Sequence, residues 1–169
     1  MKIRKIRGYF GVVFFEPKFE ENIGTAIRSA HCFGADFIGV IGARYKRQAT
    51  DTMATEKHVP IFEYKDLQDF LDHVPTGCAV IGIECDAEQT LETFDHPERA
   101  IYVLGGEDRN LPQEIKKRIR FETSHCVNMA VAASIVLYDR NQKKLATQRT
   151  EEIPQKSTGV SSTHPIDKE

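Results

Sequence analysis

An α/β domain on a mostly parallel sheet, with helices on both faces, is the fold class that the 169-residue sequence predicts. Two observations predict it. Four short runs, at 9–15, 36–42, 78–84 and 100–106, are largely apolar, the first of them continuously so and rich in β-branched and aromatic residues, the pattern of strands covered on both faces. Between and after them lie stretches with apolar residues at helical spacing. Strands alternating with helices build a mostly parallel sheet.

Taken in order, YFGVVFF (9–15) is the first strand, and polar EPKFEEN links it to a helix. Ile23, Ala26, Ile27, Ala30 and Phe33 mark the apolar face of that helix, with Asn22 as its expected N-cap and Gly34 as its stop. DFIGVIG (36–42) is the second strand. Leu67, Phe70, Leu71 and Val74 fall on one face of a short helix within 64–74. CAVIGIE (78–84) and AIYVLGG (100–106) are further strands. LPQEIKKRI predicts a helix with Pro112 in its first turn, followed by a short strand in RFE (120–122). From Val127 onward a buried helix is expected, capped by Asn128, with Val131, Ile135 and Leu137 apolar and Ala130, Ala132 and Ala133 small. The domain is drawn over 1–149. Residues 150–169 are polar, carry few large apolar side chains, and read as a disordered tail.

Composition narrows the functional classes. A net charge of −2 excludes a globally basic nucleic-acid binder, so any RNA contact must come from a local patch. ARYKRQ (43–48) supplies one, with Arg44, Lys46 and Arg47 for phosphates and Tyr45 for a stacked base. The four cysteines (Cys32, Cys78, Cys85, Cys126) show no CxxC spacing, so reduced thiols are expected, with neither a metal site nor a disulfide framework. There is no apolar run of about 18 residues, and the N-terminus lacks the apolar core of a signal peptide. A cytoplasmic protein without membrane contact is the expectation. Both GxGxxG and GxxxxGK[ST] are absent, against a standard dinucleotide or P-loop site. Ligands of parallel sheets bind at the carboxyl ends of strands, which points to the segments 16–28, 84–90, 105–111 and 121–128.

Three stretches in those segments belong together. Asn22, Gly24 and Arg28 form N-x-G-x-x-x-R; YVLGGEDRNLP follows at 102–112; CVNMAVAASIVLYDR follows at 126–140. In this order and at these separations they resemble the three motifs of the SpoU/TrmH family of SPOUT RNA methyltransferases, over roughly residues 10 to 142. The resemblance implies a deep trefoil knot near the C-terminus and a homodimer. It implies S-adenosylmethionine as cofactor and methyl transfer to a ribose 2′-hydroxyl of RNA, tRNA ahead of rRNA.

On that basis Ile83, Leu104, Gly105, Phe121, Cys126 and Val127 line the cofactor pocket. Arg28 matches the catalytic arginine, orienting the target nucleotide and stabilising the developing alkoxide, since a guanidinium stays protonated. Asn22 and Glu107 hold the arginine and the loops, and Asn128 fixes the cofactor loop. The sequence departs from the pattern at Asp108 and Asn110, where glycines are usual. It departs again at Cys126 and Ala130, where the third motif commonly carries serines, and at Glu122 and Thr123, in place of a proline and a glycine. Two rival readings follow: a non-catalytic RNA-binding relative, and an α/β domain that binds another small ligand.

Overall fold

The structure, a computed structural model, describes residues 7–18, 20–43, 54–106 and 110–152. These run β1 (Tyr9–Phe15), α1 (Glu20–Cys32), β2 (Phe37–Ile41), a 3-10 turn (Thr55–Lys57), β3 (Ile61–Tyr64), α2 (Leu67–Asp72), β4 (Ala79–Ile83), β5 (Gln89–Thr90), β6 (Arg99–Gly105), β7 (Lys117–Arg120) and α3 (Met129–Glu152). The seven strands form one sheet in the order β3-β2-β1-β6-β4-β7-β5, and every pairing is parallel.

The two sheet faces read directly from strand alternation. Phe10, Val12 and Phe14 of β1, Ile38 and Val40 of β2, and Ala100, Tyr102 and Leu104 of β6 join the core under α1 and α3. Their neighbours Val13, Phe15, Phe37, Ile41, Ile101 and Val103 join a second core under α2. Both faces are covered, which is why these strands carry no polar alternation. Phe70 of α2 is buried, with Leu67, Leu71 and Val74 packed around it, as the spacing predicts. Gly34, at φ +78°, ends the chain's helical course after α1; only glycine adopts that geometry without a steric penalty.

Helices α1 and α3 lie side by side and parallel. Asn128 donates to Asn22 at 3.1 Å, Ser29 and Ser134 share a 2.8 Å hydroxyl contact, and the Phe33 and Tyr138 rings meet edge to face at 6.4 Å. The near-constant sequence offset of these pairs fixes the register along three turns. Under the seam, Ile23, Ala26, Ile27 and Ala30 of α1 pack with Ala130, Ala133, Val136 and Leu137 of α3. Each buried isoleucine or leucine contributes roughly 1.5–3 kcal/mol. The small alanines let the backbones approach.

Several expectations are corrected. Residues 111–116 form no helix, and Lys117–Arg120 is strand β7. Leu111 and Ile115 are drawn into the α2-side core. The Arg118 guanidinium then donates to the carbonyls of Leu111, Pro112 and Ile115 at 2.8–2.9 Å, satisfying acceptors that helical bonds would otherwise use. α1 starts at Glu20, so Asn22 sits inside its first turn and is no cap. α3 is buried on one side only: Val131 (48%), Ile135 (36%) and Tyr138 (56%) form an exposed apolar stripe. It runs on to Glu152. No helix among the described residues is long and apolar enough to cross a membrane.

The second half of α3 is fastened by a buried polar network. Arg140 donates to the carbonyls of Pro97 (2.7 Å) and Glu98 (2.9 Å) and to the Tyr102 hydroxyl (3.2 Å), with its guanidinium over the Phe10 ring at 4.7 Å. His96 bridges the Tyr102 hydroxyl (2.6 Å) and Asp139 (2.8 Å). Asp139 also meets Lys143 at 2.8 Å, whose ammonium donates to the carbonyls of Leu91, Glu92 and Phe94. Burial lowers the His96 pKa, and the Asp139 carboxylate only partly offsets it. The neutral ring therefore donates from Nε2 to Asp139 and accepts at Nδ1 from Tyr102, whose own pKa burial pushes up to about 12.

Two outcomes follow from this network. Arg140→Ala should cost about 3 kcal/mol in urea unfolding, because three acceptors lose their buried donor. Because the native pKa of His96 is depressed, the unfolded chain takes up its proton first as pH falls below about 6.5. Its contribution to stability is present above that pH and is lost as pH falls through the native pKa. The urea midpoint of the wild type should drop more steeply between pH 7.5 and 5.5 than that of His96→Gln. Parallel slopes would refute the assignment.

Candidate functional site

Strands β6, β4 and β7 are neighbours in the sheet, so their carboxyl ends open together at one edge. A cleft of about 670 Å³ lies there, within the range of small-molecule and cofactor sites. It is walled by Ile83, Glu84 and Cys85 after β4, by Leu104, Gly105, Gly106 and Asn110 after β6, and by Phe121 and residues 123–129 between β7 and α3, with Ala132 at the back. Three of the four segments singled out by the strand-end rule thus meet in one place. All six residues assigned to the cofactor pocket (Ile83, Leu104, Gly105, Phe121, Cys126 and Val127) are on its wall.

Local chemistry explains how the loops are held. The Gly106 N–H donates to the Phe15 carbonyl at 2.9 Å, and a Cβ on Gly106 would lie 2.4 Å from the Glu16 carbonyl oxygen. A side chain there would push the β6 loop off β1. On the opposite wall, the half-buried Glu84 carboxylate accepts from the Leu111 N–H, pinning the loop after β6 to the end of β4. Burial raises the Glu84 pKa, and the Leu111 N–H pulls against that rise.

Asn128 has two tasks. Its Oδ1 accepts from Ala130 N (2.9 Å) and Val131 N (3.4 Å), capping α3 as the sequence predicts. Its Nδ2 donates to Asn22 Oδ1, so the first and third motifs meet side chain to side chain at the cleft margin. Arg28 is exposed on α1, six residues beyond Asn22 and so set back by about 9 Å along the helix axis. Neither Arg28 nor Asn22 lines the cleft. Glu107 and the basic stretch Arg44, Tyr45, Lys46 and Arg47 lie outside the described residues.

The cysteine expectation is corrected. Cys85 and Cys126 are joined as a disulfide with Cα atoms 5.9 Å apart, while Cys32 and Cys78 remain thiols. A separation of 41 residues gives no sequence hint of this pairing. It arises because β4 and β7 are adjacent, which brings the residues that follow them together. Glu84, Cys85, Asn110, Thr123, Ser124 and His125 on the wall were given no place in the cofactor pocket from the sequence, and the rule for strand ends was the signal that enclosed them. Among the described residues, no group of three or more His, Cys, Asp or Glu side chains could hold a metal ion.

Asn128→Ala should lose about 1 kcal/mol in urea unfolding from the cap alone. Asn128→Asp keeps an acceptor for the α3 amides but cannot donate to Asn22. It should recover most of that stability and still loosen the seam between α1 and α3, read as faster amide exchange at both helix starts. Equal loss in the two variants would show that the cap is not the main contribution.

Comparison with known proteins agrees with this fold. A curated relative from Archaeoglobus fulgidus, described as an uncharacterised tRNA/rRNA methyltransferase, is 26% identical over 137 residues, which is 74% of this chain. The chain spans 61% of that relative's length. The SpoU methyltransferase AviRb from Streptomyces viridochromogenes superposes with a TM-score of 0.75 at 21% identity, covering 84% of this chain and 62% of that one. Its complex with AdoMet gives 0.69 at 20% identity, covering 86% and 60%. A structure solved for insight into the 2-OH methylation of C/U34 on tRNA gives 0.71 at 20% identity, covering 83% of this chain and 98% of that one. The family model for SpoU rRNA methylases matches residues 9–138. The chain belongs to the SpoU rRNA methylase family.

Proposed function

We propose that the protein transfers a methyl group from S-adenosylmethionine to a ribose 2′-hydroxyl of RNA, tRNA ahead of rRNA, as a cytoplasmic homodimer. The observation that carries this reading is the cleft at the ends of β4, β6 and β7, whose wall includes all six residues assigned to the cofactor. The residues suit that group. Ile83, Leu104, Phe121 and Val127 offer apolar surface to a flat base, and Gly105 and Gly106 leave backbone groups open to polar substituents. When bound, S-adenosylmethionine supplies an electrophilic methyl group on a sulfonium.

Arg28 orients the target nucleotide and stabilises the alkoxide that forms as the hydroxyl loses its proton. Asn22, held by Asn128, and Glu107 position the arginine and the loops. The stripe of Val131, Ile135 and Tyr138 is the surface for a second copy of the chain, because exposed side chains at this spacing make a helix–helix contact. It lies on α3 beside the seam with α1, so a partner docked there comes close to the helix that carries Arg28. The trefoil knot belongs to the same reading, which is compatible with β6 lying between β1 and β4 in the sheet and with α3 packing against α1. The patch Arg44, Tyr45, Lys46 and Arg47 serves the RNA backbone and one base.

Calorimetry with S-adenosylmethionine should show binding to the wild type and to Arg28→Ala alike. Transfer of labelled methyl to bulk RNA should fall about 100-fold or more in Arg28→Ala. Binding without transfer by the wild type would mark a non-catalytic relative. No binding at millimolar cofactor would remove the methyltransferase reading altogether.

A further inference from the structure

We propose that Glu84 is a specificity-determining residue of the cleft, whose carboxylate favours S-adenosylmethionine over S-adenosylhomocysteine, the thioether product that has lost the sulfonium charge. This rests on the cofactor reading of the cleft given above. Glu84 follows β4 directly and stands on the cleft wall between Ile83 and Cys85. Among the described wall residues it is the sole carboxylate. His125 is the other titratable side chain there, an exposed imidazole 3.0 Å from the Ser124 hydroxyl, since Cys85 and Cys126 are joined as a disulfide. With that imidazole neutral, the described wall carries one negative charge among apolar, amide and hydroxyl groups.

The contacts that fix this carboxylate leave its charge available to a ligand. One oxygen accepts from the Leu111 N–H, which uses one of the roughly four acceptor positions of a carboxylate. No ion pair among the described residues takes up the charge. Arg118 acts on Glu84 through space, but its guanidinium donates to the carbonyls of Leu111, Pro112 and Ile115. Burial raises the Glu84 pKa, the Leu111 N–H opposes that rise, and the charges of Asp86 and Arg118 pull in opposite directions. A half-buried anion without a cation in contact is stabilised when a cationic ligand enters beside it.

The charge on the ligand changes in the proposed reaction. The methyl–sulfur bond breaks with its electron pair left on sulfur, the methyl bonds to the ribose oxygen, and the hydroxyl proton leaves to solvent. The product therefore has one positive charge fewer than the cofactor. Ile83, Leu104, Phe121 and Val127 meet the same adenosyl group in both ligands, so apolar wall separates the two by no more than a methyl group. A fixed anion separates them by a full charge. A tenfold preference corresponds to about 1.4 kcal/mol, and unit charges attract by that much out to about 10 Å at an effective dielectric of about 20. The carboxylate thus need not touch the sulfur to favour cofactor entry and product release.

Calorimetry on the full chain would compare S-adenosylmethionine, S-adenosylhomocysteine and sinefungin, which carries an ammonium where the cofactor has its sulfonium. Glu84→Gln removes the charge and keeps an amide oxygen for the Leu111 N–H. It should weaken S-adenosylmethionine and sinefungin about tenfold and leave S-adenosylhomocysteine within about twofold. Glu84→Asp keeps the charge on a shorter arm and should keep the wild-type ratio of cofactor to product, even where both affinities fall. An unchanged ratio in Glu84→Gln overturns the proposal. Equal weakening of all three ligands does so too, since that is the result expected of a residue that only holds the loop after β6. A wild type that favours neither charged ligand over S-adenosylhomocysteine overturns it without recourse to a variant. Binding of none of the three by the wild type overturns the cofactor reading itself, a failure kept distinct because every other outcome requires measurable affinities.

Discussion

Strand β6 has a parallel neighbour on each side, β1 in register from Tyr9–Arg99 to Phe15–Gly105 and β4 from Ala79–Ala100 to Ile83–Leu104. That double pairing sets the rest of the molecule. It commits Ala100, Tyr102 and Leu104 to one core and Ile101 and Val103 to the other. It also brings the ends of β1, β6 and β4 to one level, which is why Gly106 can bond to the Phe15 carbonyl. The cleft opens beside this level, where β6, β4 and β7 end. Moving β6 by one residue would exchange its two faces and displace the glycine pair from the wall.

The way α3 is held follows from the same arrangement. Its first turn is fixed at the cleft by Asn128, and its later turns at the opposite end of the sheet by Arg140 and Lys143. The carbonyls to which Arg140 donates, those of Pro97 and Glu98, lie just before β6 begins. Tyr102, within β6, reaches the same guanidinium. The start of β6 therefore anchors the middle of the helix, and polar groups whose burial is costly when unpaired are satisfied by chain that is already fixed.

How much of this was legible in the sequence varies with the kind of signal. β1, β2, β4 and β6 are largely apolar runs and were readable because burial on two faces leaves no polar alternation to confuse. β7 was not, because Lys117, Arg118 and Arg120 occupy three of its four positions and a proline at 112 suggests a helix start. What decides it is Arg118 bonding to three carbonyls, a tertiary effect that local pattern does not contain. Of the site, the six residues assigned through the motifs lie on one cleft wall, because strand ends are local. The Cys85–Cys126 bridge and the Asn22–Asn128 bond were not legible, because each depends on which strands or helices become neighbours. The exposed stripe on α3 was missed for a related reason: Val131 and Ile135 are apolar, and apolarity alone cannot tell core from an outward-facing surface.

The parallel pairing of α1 with α3 also has a kinetic meaning. Its contacts join residues 105 or 106 apart, so neither helix can find the other by local search. Closing a loop of that length costs about 4 kcal/mol in chain entropy before any contact offsets it. Helix α1 can form early on its own residues, yet its apolar face waits for a partner near the far end of the described chain. Most of the sheet must be assembled, or at least collapsed, before that seam is cheap to close. A fold with so much long-range pairing belongs to the slow end of single-domain folding. Through that interval, Ile23 and Ile27 are the surface most in need of shielding.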